Sequence, residues 1–452
     1  MIQDERIEIL NDSPVHDGEY VLYWMQAAQR AQCNHALEYA IDQANELSLG
    51  VVVYFGLTDD YPEANERHYW FMLEGLSETI TEVQKRGIAI VVHNGDIVKG
   101  LIEHSQKAAM VIVDAGHLHI QRKWREQAGE KLDRRFVEIE TNLIVPIETA
   151  SQKENFSAGT LRPRINKHLD RFMVDLKERK PKVKTTKMNL KGFDVQNASK
   201  AIKKLKLDRS VSKSRFYQGG TTQANKFLDE FIDHKIKDYA DGRNDPCKDV
   251  LSNVSPYLHF GQISPLHIAL RVKSYTGKKE GKEAYLEELI VRRELAHNFV
   301  AYNDDYDKYE GLPPWAKATL EHHSKDKREH LYSLEELEQA QTHDPYWNAA
   351  QHEMVITGKM HGYMRMYWGK KILEWTKNPA QGFELALYLN NKYELDGRDA
   401  NSYTGIAWCF GKHDRAWAER GVFGKVRYMN ANGLKRKFDP DAYVEKVSRL
   451  NE

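Results

Sequence analysis

The strongest constraint on this chain is a change of pattern about a third of the way along it. From Glu19 to about Pro146, short apolar runs alternate with amphipathic stretches. Tyr20–Trp24, Gly50–Phe55, Ile88–Val92 and Met110–Val113 read as buried strands, while His35–Leu47 and Glu66–Arg86 read as helices. Strand and helix in alternation predict a doubly wound parallel sheet covered on both faces, an α/β domain. After about Arg209 the strand-like runs nearly disappear. Ala224–Tyr239, Glu283–Tyr302, Leu334–Gln341 and Trp347–Lys377 have helical periodicity, which predicts an all-α second half. Two domains suit 452 residues. We expect an α/β domain over 1–150, a basic interdomain linker over 151–209 and a helical domain over 210–452. Within the linker, Arg162–Lys187 carries ten Lys/Arg against three Asp/Glu. A solvated charged linker is the favoured reading there, and a contribution to DNA binding the lesser one.

Several function classes drop out early. No apolar run is long enough to span a bilayer, and MIQDERIEIL lacks the layout of a secretory signal. Cys33, Cys247 and Cys409 lie far apart, with no CxxC pair, which suits a reducing cytosol. Lys plus Arg equals Asp plus Glu at 66 each, so a nucleic-acid partner has to show as local basic patches. No GxGxxG follows the first strand, so the α/β layer is a scaffold or a site for a different ligand. The chain has no Ser/His/Asp order, HExxH or His/Cys zinc pattern, and no metal site is expected. His117 with His119, and His322 with His323, read as surface residues rather than ligands.

Four stretches hold chemistry, each with a plainer alternative. In YADGRNDPCKDVLSNVSPYLHFG (Tyr239–Gly261), Ser252, Asn253 and Ser255 sit near a helix start, where free N–H groups favour an anion such as a pyrophosphate. Local physics alone favours simple N-capping. In EAYLEELIVRRELAHNF (Glu283–Phe299), Tyr285, Glu288, Arg292, Leu295 and Phe299 share a helical face, with a carboxylate one turn from a cation. Most such pairs are ordinary surface partners. In Asp344–Trp375, Trp368 and Trp375 lie one heptad apart, Arg365 precedes Trp368 by a turn, and Gly358 and Gly362 allow a break. Stacked tryptophans are usually core. In Asn390–Trp417, Asp396, Asp399 and Asp414 alternate with Arg398 and Arg415, and ion pairs are a better reading than a metal.

Taken together, these stretches resemble the photolyase/cryptochrome family, most closely the class II cyclobutane pyrimidine dimer photolyases. The resemblance runs from VLYWMQAAQR (Val21–Arg30) through SNVSPYLHFGQISP, EELIVRREL, THDPYWNAAQHEM and HGYMRMYW to ELDGRD, GIAW and FGKVRYM. It implies an FAD, reduced in the active form, folded into a U within the helical domain, and light-driven splitting of dimers in DNA. Tyr239, Ser252, Val254 and Ser255 match positions around the FAD phosphates. Arg365 and Asp396 match a salt-bridged pair beside the isoalloxazine, and Asn390, with Asn391 its neighbour, matches the asparagine facing flavin N5. Glu288 matches the carboxyl that hydrogen-bonds the flipped-out dimer, Arg243 an arginine at the lesion end, and Trp408 the indole packing on the dimer. At Arg292 some class II enzymes have a further lesion-contacting aromatic. Trp368, Trp347 and Trp375 match the electron path to the flavin.

Phosphate contacts are expected from Arg415, Arg420, Lys425, Arg427 and the Lys435–Lys437 run. A deazaflavin-type antenna is suggested for the α/β domain. The partner is UV-damaged DNA, reached by a monomer in the cytoplasm, or in the nucleus of a eukaryote, without a protein partner. The rival readings are a cryptochrome-like blue-light photoreceptor and a (6-4) photolyase.

Overall fold

The computed structural model describes residues 2–451. Six strands form one sheet: β1 (Ile7–Ile9), β2 (Tyr20–Trp24), β3 (Gly50–Leu57), β4 (Ala89–Asn94), β5 (Ala108–Asp114) and β6 (Phe136–Ile139). Their spatial order is β1-β6-β5-β2-β3-β4. All neighbours are parallel except β1, which runs antiparallel on β6 at the edge. Every residue of β2 and β5 is buried, as two-sided coverage requires. The four anticipated strands are present. The two extra ones, β1 and β6, are three and four residues long, too short to leave a periodic signal.

The chain leaves β2 for β3 on one side and later returns to build β5 and β6 on the other. Such a reversal opens a crevice beyond the carboxyl ends of the central strands. The loop after β2 is fixed there by Asp114 at the end of β5. Its carboxylate accepts from the Gln26, Ala27 and Ala28 amides and from the Tyr23 hydroxyl, at 2.5–2.9 Å.

From Thr221 onward the chain is helical, with apolar clusters built around Trp347–Tyr443 and around Phe231–Leu295. The helical half seats directly on the loop after β2. Gly261, at φ +65°, has no room for a side chain, since a Cβ would lie 1.9 Å from the Ala27 carbonyl. The segment between the halves is no free tether. Leu161, Ile165 and Phe172 join a helical-half cluster, and Val195, Ala201, Ile202 and Leu205 join the core on the sheet.

The expected helix over Glu283–Tyr302 is interrupted. An α-helix over Lys279–Leu286 passes into a π-helical turn, Glu287–Arg292, then into a second α-helix, Arg293–Tyr302. The wider turn shifts the register of everything after it. The Trp347–Lys377 stretch is two helices, Pro345–Thr357 and Gly362–Glu374. They part at Gly358, whose left-handed φ of +86° ends the first.

Candidate functional site

A cavity of about 400 Å³ lies in the helical half, within the size range of small-molecule sites. One wall comes from the segment Leu251–Ser255 leading into the Ser255–His259 helix, and from Tyr239. Tyr239, Ser252, Val254 and Ser255 all line it. Asn253 adopts φ +55° there, turning the chain against the cavity. Arg365 and Asp396 also line it. The Arg365 guanidinium reaches Asp396 Oδ1 and Glu394 Oε2, each at 3.0 Å.

This charge cluster is fixed by burial. Burial pushes Asp396 up, but the Arg365 cation and a hydrogen bond from Ser255 outweigh it and hold the carboxyl below its usual range. For Glu394, which is fully buried and also feels Asp396, burial prevails over Arg365 and raises it to about 8. Arg365 itself is stabilised as a cation. A fixed cation beside an amphipathic cavity, facing hydroxyls and backbone N–H groups, fits a ligand with an anionic ring system and a phosphate tail.

At the open end Glu288 and Arg243 pair at 2.5 Å, both about one-third exposed. The anticipated Glu288–Arg292 partnership is not formed, because the π turn rotates the two residues apart. Arg292 instead lies 3.3 Å from Glu287, with its guanidinium carbon 5.5 Å from the centre of the Trp408 ring. Trp408 is half-buried and does not line this cavity, and its face is covered by Arg292. Asn390 does not line it either. It is fully buried off the cavity wall, donating to Ser402 Oγ at 2.5 Å, with its own carbonyl oxygen unpartnered. Asn391 is tied to Glu63 and to the Arg398 amide, so only Asn390 keeps a free acceptor of the two.

The Gly362–Glu374 helix carries Arg365 at the cavity and Trp368 one turn further in. Trp368 stacks on Trp347 with ring centres 6.2 Å apart and planes 7° from parallel. Trp347 meets Trp375 edge-on at 5.7 Å. All three are buried. Trp347 donates to the Trp368 carbonyl at 3.0 Å, and Trp368 to Gln351 at 2.9 Å. Trp375 meets Tyr332 and His343 at 5.3 and 5.2 Å, where the row reaches the surface.

Arg415 and Arg427 both lie over Trp417, at 5.1 and 5.2 Å from its ring centre. Trp417 is 40% exposed and was not anticipated; its place between two of the basic residues was the available signal. A group with ligand-like geometry, among the described residues, joins His322 and His323 to Glu419. Both His323 ring nitrogens are taken by carboxylates, Asp326 at 2.6 Å and Glu419 at 3.0 Å, which makes it an ion-pair clamp. Asp399 faces His259 at 3.4 Å, and Arg398 is held by His68 and the Asn391 carbonyl rather than by an acid.

A second cavity lies at the carboxyl ends of β2 and β3, walled by Trp24, Phe55, Tyr61, Met72, Trp124 and Arg398. Its aromatic walls and single guanidinium suit a planar ligand. No helix among the described residues is long and apolar enough to cross a membrane.

A family model described as DNA photolyase matches residues 21–184. The chain is 52% identical over 454 residues to the deoxyribodipyrimidine photo-lyase of Methanothermobacter thermautotrophicus, covering 100% of this chain and 99% of that one. It is 41% identical over 453 residues to the enzyme of that name from Potorous tridactylus, covering 98% and 84%. Among solved structures it resembles a bacterial class III photolyase from Agrobacterium tumefaciens, with TM-score 0.74, 18% identity and coverage of 96% and 87%. It resembles a Synechocystis cryptochrome with TM-score 0.71, 16% identity and coverage of 94% and 88%. The last two speak for the fold, and the identities over full length speak for descent: the chain belongs to the photolyase/cryptochrome family.

Proposed function

We propose that this protein is a class II photolyase that repairs cyclobutane pyrimidine dimers in DNA with light, using FAD. The observation that carries the reading is a single cavity with the Arg365–Asp396–Glu394 cluster at its closed side and the Arg243–Glu288 pair at its mouth. The names of the full-length relatives support the reaction, and the HGYMRMYW and YELDGRD blocks support the class.

Bound and reduced, FAD supplies an electron on blue illumination and receives it back after the cyclobutane ring has opened. Tyr239, Ser252, Val254 and Ser255 hold the phosphate side. Arg365 balances negative charge on the ring system, and its two carboxylates keep it in place. A dimer stacks and pairs badly, so turning it out of the duplex costs less than for intact bases. Glu288, an acceptor when ionised, takes the N3–H of a pyrimidine, Arg243 engages the lesion end, and Trp408 packs on the dimer. Trp375, Trp347 and Trp368 carry electrons inward to restore the reduced cofactor. Arg415 and Arg427 bind phosphate. The second cavity is the place for a deazaflavin-type antenna. The protein works as a monomer in the compartment that holds the DNA.

The test is an oligonucleotide with one thymine dimer, mixed with reduced protein and illuminated with blue light. Absorbance of the thymines returns in the light and not in the dark. Glu288→Ala lowers the repair yield about tenfold, the worth of one hydrogen bond to a charged group, and leaves FAD bound. An intact dimer after illumination would sink the reading, and a photoreceptor without repair would then be favoured. Repair of a (6-4) product alone would point to that rival.

A further inference from the structure

Arg292, the last residue of the π turn, has a surrounding that the proposed reaction leaves unused. Its guanidinium lies over Trp408, yet Glu287, its only carboxylate neighbour among the described residues, is already committed. Arg162 holds Glu287 with two hydrogen bonds, of 3.0 and 2.7 Å. Arg292 Nε finds no well-directed partner, and its side chain remains about one-third exposed. No other acid among the described residues pairs with it. Lys412, next in sequence to His413, is paired with Glu154, and His413, whose ring lies 6.0 Å from Trp408, donates from Nδ1 to the Phe156 carbonyl. Burial keeps His413 neutral, at about 4. The face of Trp408 is thus covered by a cation with free terminal N–H groups and no net countercharge.

A guanidinium in that state is suited to a phosphate, which accepts two parallel N–H bonds. Stacked on a half-buried indole while itself about one-third exposed, it is weakly held and can leave when something better arrives. We propose that Arg292 reads the damaged strand: its guanidinium lies on Trp408 in the free protein and moves to a backbone phosphate of the everted dinucleotide when the dimer takes its place on the indole. The exchange covers Trp408 in both states and lets one residue sense that a lesion has docked. This rests on the dimer-repair reading above.

The holoprotein, R292M and R292K are titrated with a dimer-containing oligonucleotide and with the undamaged sequence across a range of KCl. R292M keeps the stem and loses the charge. It binds the dimer about tenfold more weakly at low salt. Its plot of log affinity against log salt is shallower by about 0.7, the worth of one single-strand phosphate contact. Binding to the undamaged strand is unchanged. R292K keeps the slope and recovers part of the affinity, and it carries the test if R292M misfolds. An unchanged slope on the dimer, with wild-type protein repairing normally, overturns the role of Arg292 alone. An equal loss on both oligonucleotides makes Arg292 a general phosphate contact and also overturns it. Wild-type protein without dimer preference or light-dependent repair overturns the function and this inference together.

Discussion

Five of the six tryptophans of the helical half, all but Trp315, fall into two groups. Trp347, Trp368 and Trp375 are buried, ring against ring, with a cation, Lys371, only over the outermost ring. Trp408, half-buried, and Trp417, exposed, carry guanidiniums on their faces. The residue type is the same and the surroundings are opposite. A buried row whose two inner indole N–H groups are satisfied keeps one arrangement and offers short steps between rings. An indole covered by a mobile cation can exchange its partner for a base. On the proposed reading, burial and neighbours, more than side-chain identity, divide electron path from lesion contact.

The Gly362–Glu374 helix spans the boundary, so substitutions on it test the division most sharply. Arg365→Leu should have the largest effect. It leaves the ionised Asp396 uncompensated in the interior, which costs about 3–5 kcal/mol. The purified variant is expected to have lost its flavin absorbance and to unfold at lower denaturant. A stable variant with full flavin content would remove Arg365 from the cofactor site. Next come crossed substitutions, one from each group. Trp368→Phe should block photoreduction while pre-reduced protein repairs nearly normally. Trp408→Phe should lower repair and leave photoreduction intact. Matching losses in both assays would erase the distinction.

The smallest expected effect is a dependence on pH. Burial holds His35, His68 and His297 well below their usual range, His361 at about 3 and His413 at about 4. In the unfolded chain each takes a proton near about 6.5. Burial has the opposite effect on Glu294 and Glu394, both raised to about 8. The histidine stability is present above about 6.5 and lost as pH falls towards 4; the glutamate stability is present below about 4.5 and lost as pH rises through 8. His104, His267, His343 and His352 are lowered by burial too, and Glu8, Glu38, Asp114 and Glu138 raised by it, so between about 6.5 and 4.5 nine histidines act against six carboxyls and the unfolded chain binds more protons. The thermal midpoint should fall as pH drops across it. A midpoint that holds steady or rises would mean that these histidines are protonated in the folded protein.

Much of this was legible in the sequence because it is local. The four main strands followed from short apolar runs, and the helix pair around Trp347 and Trp368 followed from periodicity and two glycines. Local pattern also placed Trp368 and Trp375 on one face. It did not place Trp347 between them, since that depends on how two helices cross. Arg365 and Asp396 are 31 residues apart and were paired only through the family resemblance. The π turn went unseen because one extra residue in a helical turn leaves no mark in an apolar pattern. It is that turn which gives Glu288 to Arg243 and Arg292 to Trp408. Sequence determined which segments are strand or helix, since side-chain alternation and capping act over a few residues. Tertiary packing alone decided which charges meet in a cavity and which indoles stay open to water, because both depend on groups brought together from distant parts of the chain.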